Sequence, residues 1–230
     1  MKYLKENLEE LILDIEESAK KVGKTKEDIK LVGVTKTIDL DVIEEAIRLG
    51  LTDIGENRVQ ELTDKMDNIN EDVNFHMIGH LQSNKVKDII GRVELIHSLD
   101  RKSLAKEINK RAKQNDISAD ALIEVNISGE ESKFGLNPKD VKKFIEDIEK
   151  YGNINIRGLM TIAPHTNDEK IIRETFSGLR KLSEDIEKSN YKNVSMDYLS
   201  MGMTNDYKIA IEEGANIIRV GRKIFGDREY

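Results

Sequence analysis

Leu31-Val32-Gly33-Val34-Thr35-Lys36 is a short apolar run that ends in a lysine. It reads as a strand. Asp39 then opens an amphipathic helix whose apolar side carries Val42, Ile43, Ala46, Ile47 and Leu49. A lysine at the C-terminal end of the first strand of an α/β chain stands where such folds place their chemistry. Burial beside other cations lowers a lysine pKa and frees the amine to attack carbonyl groups. A solvated strand-end lysine is the ordinary alternative, and in a chain with 37 Lys and Arg position alone favours it.

Working outward, apolar runs and helical patterns alternate along the whole chain. Leu4 to Val22 is predicted as a helix, with Leu8, Leu11, Ile12 and Ile15 at helical spacing. The predicted strands are Ile29–Lys36, Asp53–Gly55, Asn74–Gly79, Leu95–Ser98, Ala121–Ile127, Asn155–Thr161, Ser195–Ser200 and Ile217–Val220. The helices between them are Asp39–Gly50, Arg58–Met66, Ser83–Ile90, Arg101–Asn115, Pro138–Tyr151, Asp168–Ser189 and Asn205–Gly214. Gly50 and Gly214 read as helix stops and Pro138 as a first-turn proline. Strict alternation implies parallel pairing with right-handed crossovers. Eight such units close naturally into a single (β/α)8 TIM barrel with an additional N-terminal helix. A doubly wound open sheet is the competitor. The barrel is expected to consume residues 1–230 as one domain.

Composition narrows the function classes. With 38% hydrophobic residues in 230, the chain can bury one sizeable core. Cysteine is absent, which excludes disulfides and Cys-based zinc sites. The net charge is −7 with no basic block, so nucleic acid is not the expected partner. The N-terminus begins a charged amphipathic helix rather than a signal peptide. No apolar run approaches the ~20 residues of a membrane span. A soluble cytoplasmic protein is the expectation.

In a parallel barrel the residues after each strand converge on one face. They are Lys36, Glu56-Asn57-Arg58, His80, Ser98, Asn126 with Ser128, Thr161, Ser200 to Thr204, and Gly221-Arg222. Ser200-Met201-Gly202-Met203-Thr204 precedes a helix, so its hydroxyls and free N–H groups suit an anion; an ordinary capped loop is the alternative. Loops after strands seven and eight form the usual phosphate site of such barrels, and Gly221 follows the eighth strand. Arg219 lies within that strand and needs an acceptor, either a carboxylate or a ring nitrogen of a ligand. Facing a pyridine nitrogen, an always-charged arginine would hold it unprotonated. His76, His80, His97 and His165 form no metal-ligand pattern. They read as structural histidines, with His80 a candidate to line the site. Glu44-Glu45 and Glu130-Glu131 read as solvated surface. Lys133 is either a surface charge or a contact of a site lid.

Several of these blocks together resemble the YggS/PROSC proteins, the pyridoxal phosphate homeostasis family. They are Val34-Thr35-Lys36-Thr37, Gly55-Glu56-Asn57-Arg58-Val59-Gln60-Glu61, Phe75 through Lys85, Lys133-Phe134-Gly135, Arg157-Gly158-Leu159-Met160, Ser200-Met201-Gly202-Met203 and Arg219 through Gly226. The resemblance implies a barrel like the N-terminal domain of alanine racemase, with pyridoxal 5′-phosphate as cofactor. It implies a Schiff-base role for Lys36, a phosphate loop at Ser200, Gly202 and Thr204 with Gly221, a ring-nitrogen partner in Arg219, and cofactor contacts at Asn57 and His80. Many members carry serine at the Thr204 position and tryptophan at Phe75. The family is expected to bind, buffer and hand over the cofactor, with apo-enzymes as recipients and no established catalysis. A racemase needs a second base, for which Tyr198 and Tyr207 are the candidates, and neither sits in a matching motif. A monomer is expected. The rivals are a slow pyridoxal phosphate-dependent racemase, a cofactor-free Schiff-base aldolase and a scaffold with a vestigial pocket.

Overall fold

Eight parallel strands close on themselves in chain order, each hydrogen-bonded to the next and the last to the first. The computed structural model describes residues 2–130 and 132–226. The strands are β1 (Lys30–Val34), β2 (Asp53–Glu56), β3 (Asn74–Met77), β4 (Leu95–Leu99), β5 (Ala119–Glu124), β6 (Ile154–Met160), β7 (Val194–Ser200) and β8 (Ile217–Val220). Around them lie α1 (Lys2–Lys21), α2 (Leu40–Arg48), α3 (Val59–Asn68), α4 (Val86–Ile89), α5 (Lys102–Gln114), α6 (Val141–Ile148), α7 (Glu169–Glu187), α8 (Tyr207–Glu212) and α9 (Arg222–Phe225). The open-sheet alternative is excluded by the β1–β8 pairing, Lys30 to Ile217 through Gly33 to Val220. No described helix is long and apolar enough to cross a membrane.

Successive strand residues point to opposite faces, and two separate apolar clusters follow. The outer one joins strand residues such as Ile54, Ile96, Ile123 and Leu159 to the helices. The inner one is Val32, Ile78, Leu95, Leu122, Met160 and Ile217, with Val34 and Tyr198 against it. These residues fix which register of each strand faces the barrel interior. The helix α1 is held to the far side of the chain: Tyr207 donates to Asp14 at 2.5 Å and Asn7 to the Ile224 carbonyl at 3.0 Å.

Several boundaries differ from the sequence reading. The segment after Ile123 was expected to remain strand to Ile127, but β5 ends at Glu124 because the chain folds back upon it. Leu136 N–H donates to the Glu124 carbonyl at 2.8 Å, and Asn126 N–H to that of Leu136 at 2.9 Å. The strand β1 stops at Val34, two residues before Lys36. Ser83–Ile90 divides into a 3-10 turn and the short α4, and Pro138 begins a 3-10 turn ahead of α6. Asn137 caps that turn by accepting from Lys139 N–H. Gly50 and Gly214 have φ of 105° and 107°, as helix stops require.

Candidate functional site at the C-terminal mouth of the barrel

Counting by twos along inward-facing residues carries six of the strands toward the mouth. Val32 and Val34 lead to Lys36, and Gly55 to Asn57. His76 and Ile78 lead to His80, Leu122 to Glu124, Ser200 to Gly202, and Arg219 to Gly221. The fold thus places seven of the eight sequence-derived positions at the C-terminal strand ends or within three residues of them. Thr204 joins them through the loop after β7.

Lys36 is half-buried, and its amine has no hydrogen-bond or ion-pair partner among the described residues. The backbone around it is tightly fixed. Thr35 Oγ1 donates to Glu56 Oε1 at 2.6 Å, and Lys65 Nζ donates to the Thr35 carbonyl at 2.6 Å while pairing with Glu56. Thr37 has φ of 62°, a left-handed conformation that a β-branched residue rarely adopts. Its N–H reaches Glu61 Oε2 at 3.2 Å, and its hydroxyl donates to the Lys36 carbonyl at 2.6 Å.

Across the mouth, Gly202 has φ of 94°, and an added Cβ would lie 2.5 Å from Ala210 Cβ. Asp206 Oδ1 accepts from Met203 N–H at 2.5 Å and closes the turn. Burial pushes the Asp206 carboxyl up. The N–H groups of Gly202, Thr204, Gly221 and Arg222 donate to no acceptor among the described residues. Gly202 and Gly221 are buried, so these donors form a nest suited to an anion. The Thr204 hydroxyl is likewise unpartnered.

Arg219 is 4% exposed and lies within ion-pairing distance of no carboxylate among the described residues. It donates from Nη1 to Ser200 Oγ at 2.5 Å and from Nη2 to the Thr161 carbonyl at 2.9 Å. Burial lowers its pKa to about 10, which leaves it cationic at neutral pH. The Ser200 hydroxyl therefore lies inside the barrel beside the guanidinium. It continues into a polar chain: His97 Nδ1 is 2.9 Å from Ser200 Oγ, His97 Nε2 is 3.0 Å from His76 Nδ1, and His76 Nε2 is 2.9 Å from Asp53 Oδ1. Burial would raise Asp53, but hydrogen bonds from His76, Lys30 and Thr52 hold it well below the usual carboxylate range.

Asn57 is exposed at the mouth, and its backbone passes so close to Gly79 that a Cβ there would lie 2.4 Å from the Asn57 carbonyl oxygen. His80 stacks on Phe134 at 4.2 Å between centroids, with Asp100 Oδ2 3.4 Å from its Nδ1. Lys133 pairs with Glu130 at 2.6 Å; Glu131 lies outside the described residues. Tyr198 and Tyr207 are not brought to the mouth. Tyr207 points to α1, and Tyr198 lines a cleft of about 470 Å³ beside Lys30, Asp53 and Asn216, at the opposite end of the barrel. Tyr207 opens α8 beside Gly202 but turns its hydroxyl away to Asp14, and Tyr198 stands one inward position below Ser200.

Sequence reading missed Glu124. It is 7% exposed, its carboxylate accepts no hydrogen bond from the described residues, and burial beside Asp100 pushes its pKa up to about 7. The one available signal was an acidic residue closing the apolar run Ala119–Glu124.

The family model for the alanine racemase N-terminal domain matches residues 6–229. A pyridoxal phosphate homeostasis protein of Aquifex aeolicus is 43% identical over 226 residues, covering 98% of each chain. The structure of PipY of Synechococcus elongatus with PLP bound superposes with a TM-score of 0.85 at 28% identity, over 97% of this chain and 100% of that one. An alanine racemase of Clostridium difficile shares the fold, with a TM-score of 0.80 at 16% identity, over 100% of this chain and 58% of that one. A match of this length to the family model, together with the identity to the Aquifex protein along nearly all of both sequences, means that the chain belongs to the pyridoxal phosphate homeostasis proteins within the alanine racemase N-terminal domain family.

Proposed function

We propose that residues 1–230 form a single domain that binds pyridoxal 5′-phosphate at the C-terminal mouth of the barrel, holds it on Lys36, and buffers or delivers it. The observation that carries this reading is an unpartnered lysine amine sharing one mouth with a nest of unused N–H donors and an unneutralised buried arginine. The residues fit the group. When bound, pyridoxal phosphate supplies an aldehyde that condenses reversibly with primary amines.

Each residue then has a separate task. Lys36 offers its amine from a backbone pinned by Glu56 and Lys65. Gly202, Thr204, Gly221 and Arg222 direct N–H groups at a phosphate, and the Thr204 hydroxyl adds a donor. Arg219 presents a fixed positive charge to a ring nitrogen and keeps it unprotonated. Ser200 supports Arg219, and Asn57 and His80 flank the mouth. With both candidate tyrosines away from this face, the arrangement supports reversible holding over carbanion chemistry. The reading takes the protein to be a cytoplasmic monomer that serves apo-enzymes, in keeping with the charge of −7 and the many ion pairs on its outer helices.

The test is the absorbance spectrum with pyridoxal phosphate added, then borohydride reduction and peptide mass mapping. A visible band and a pyridoxyl mass on Lys36 are expected. Neither band nor adduct would sink the reading. A slow racemase is the second reading, favoured by Glu124, a buried acid near neutrality at the same mouth. Loss of optical activity from a pure L-amino acid, abolished by Lys36→Ala, would establish it.

A further inference from the structure

The polar chain beneath the mouth has ends that differ in kind. Arg219 can only donate, and the Asp53 carboxylate can only accept. Between them Ser200, His97 and His76 each meet one neighbour on either side. Direction is therefore imposed from both ends. His76 must give its Nε2–H to Asp53, so its Nδ1 accepts from His97 Nε2–H. His97 Nδ1 then accepts the Ser200 hydroxyl proton, and Ser200 meets Arg219 with a lone pair. With both imidazoles neutral this arrangement satisfies every member.

We propose that His97, backed by His76 and Asp53, is a positioning residue that commits the Ser200 hydroxyl inward, holds Arg219 in its orientation at the mouth, and leaves Ser200 no part in gripping an anion. This rests on the function proposed above.

Charging the chain would undo it. An imidazolium at His97 would donate to Ser200 as Arg219 already does, setting two cations about one buried hydroxyl whose own proton has lost its acceptor. An imidazolium at His76 would force His97 into the same orientation. Burial, with His76, Arg219 and Lys30 nearby, accordingly holds His97 well below the usual imidazole range. The other charges about the chain are Asp53, paired to Lys30 at 2.8 Å, and Glu124 and Asp206, which face Arg219. The two acceptors of Arg219, a hydroxyl and a carbonyl, are neutral, and no carboxylate among the described residues pairs with it directly.

The first test uses the cofactor-free chain labelled with ¹⁵N-histidine. Long-range ¹H–¹⁵N spectra from pH 5.5 to 8.5 are expected to show the proton of each ring on Nε2, with His97 neutral and not titrating. A titrating His97, or a proton on Nδ1 of either ring, overturns the proposal. The second test compares binding of pyridoxal phosphate and pyridoxal by wild type and Ser200→Ala. Both affinities are expected to fall together, with their ratio kept within about twofold, and the absorbance of the loaded variant is expected to gain a pH inflection that wild type lacks. A tenfold fall in the ratio would mean that Ser200 grips the phosphate, and overturns the proposal. If the wild-type chain carries no cofactor on Lys36, the functional reading fails, and the histidine spectra decide the relay by themselves. The spectra also decide it if Ser200→Ala does not fold.

Discussion

Thr35 Oγ1 donates to Glu56 Oε1 at 2.6 Å, immediately before Lys36 in the chain and wholly out of water. Glu56 is 0% exposed, and its second oxygen has no partner. Its charge is balanced by Lys65 of α3, which also holds the Thr35 carbonyl. The ion pair thus fixes the backbone that carries the site lysine. Removing one partner strands a buried charge, whereas removing both does not. Lys65→Met is therefore expected to cost about 3–5 kcal/mol, and the double variant with Glu56→Gln much less. Urea unfolding of the three chains checks this. A single variant within about 1 kcal/mol of wild type would show that the pair does not fix this strand end.

Gly202 cannot carry a side chain. Its φ of 94° disfavours any L-residue, and a Cβ would lie 2.5 Å from Ala210 Cβ and 3.0 Å from Tyr207 Cα. Gly202→Ala is expected to push the loop off α8, to cost about 1–3 kcal/mol, and to scatter the N–H nest. Pyridoxal phosphate affinity should fall by roughly two orders of magnitude, about 2.7 kcal/mol, with pyridoxal affinity much less affected. Gly50 is the control. Its φ is 105°, but an added Cβ meets nothing within 4 Å, so Gly50→Ala should lose stability without touching binding.

Glu124 makes stability depend on pH in an unusual direction. Its folded pKa is raised from 4.5 to about 7, so between those values the folded chain binds a proton that the unfolded chain has released. Stability therefore falls as pH rises through this window, and the loss is complete above it. A difference of that size is worth about 3 kcal/mol. Glu124→Gln cannot ionise and escapes the loss. It should unfold at a temperature roughly 6 °C above wild type at pH 8.5 and close to wild type at pH 5. Equal differences at both pH values would mean that Glu124 keeps an ordinary carboxylate pKa.

The fold was legible because its signals are local. Leu31–Val34 is apolar, strands and helices alternate, and Gly50, Gly214 and Pro138 mark where helices stop and start. Seven candidate positions could be placed near the strand ends because a parallel barrel converts sequence position directly into place. What escaped depends on pairing across the barrel. Asp53, His76, His97, Ser200 and Arg219 come from five strands, and no spacing within one segment reveals that they form a single chain. The Glu56–Lys65 pair is hidden for a related reason: Glu56 lies on the outward register of β2, where burial depends on α3. The end of β5 was misread because Val125 and Ile127 are β-branched, and only the return of Leu136, bonded to Glu124 and Asn126, interrupts the strand there.

Thr37 stores strain next to the residue on which the site depends. A threonine at φ of 62° is uncommon, whereas glycine adopts that conformation freely. Thr37→Gly keeps the N–H that meets Glu61 and loses the hydroxyl that donates to the Lys36 carbonyl. Relief of strain, worth about 1 kcal/mol or more, opposes the added freedom of glycine in the unfolded chain, and the lost hydrogen bond removes about 1 kcal/mol. Stability should therefore change little, within about 1 kcal/mol. Function should not follow stability, because the backbone at Lys36 loses the hydrogen bond that restrains its carbonyl. Cofactor dissociation from Thr37→Gly is expected to be at least fivefold faster, measured by transfer to an excess of an apo-acceptor, with the unfolding midpoint nearly unchanged. A variant that retains the wild-type release rate would show that the strained turn serves the chain path alone and not the placement of Lys36.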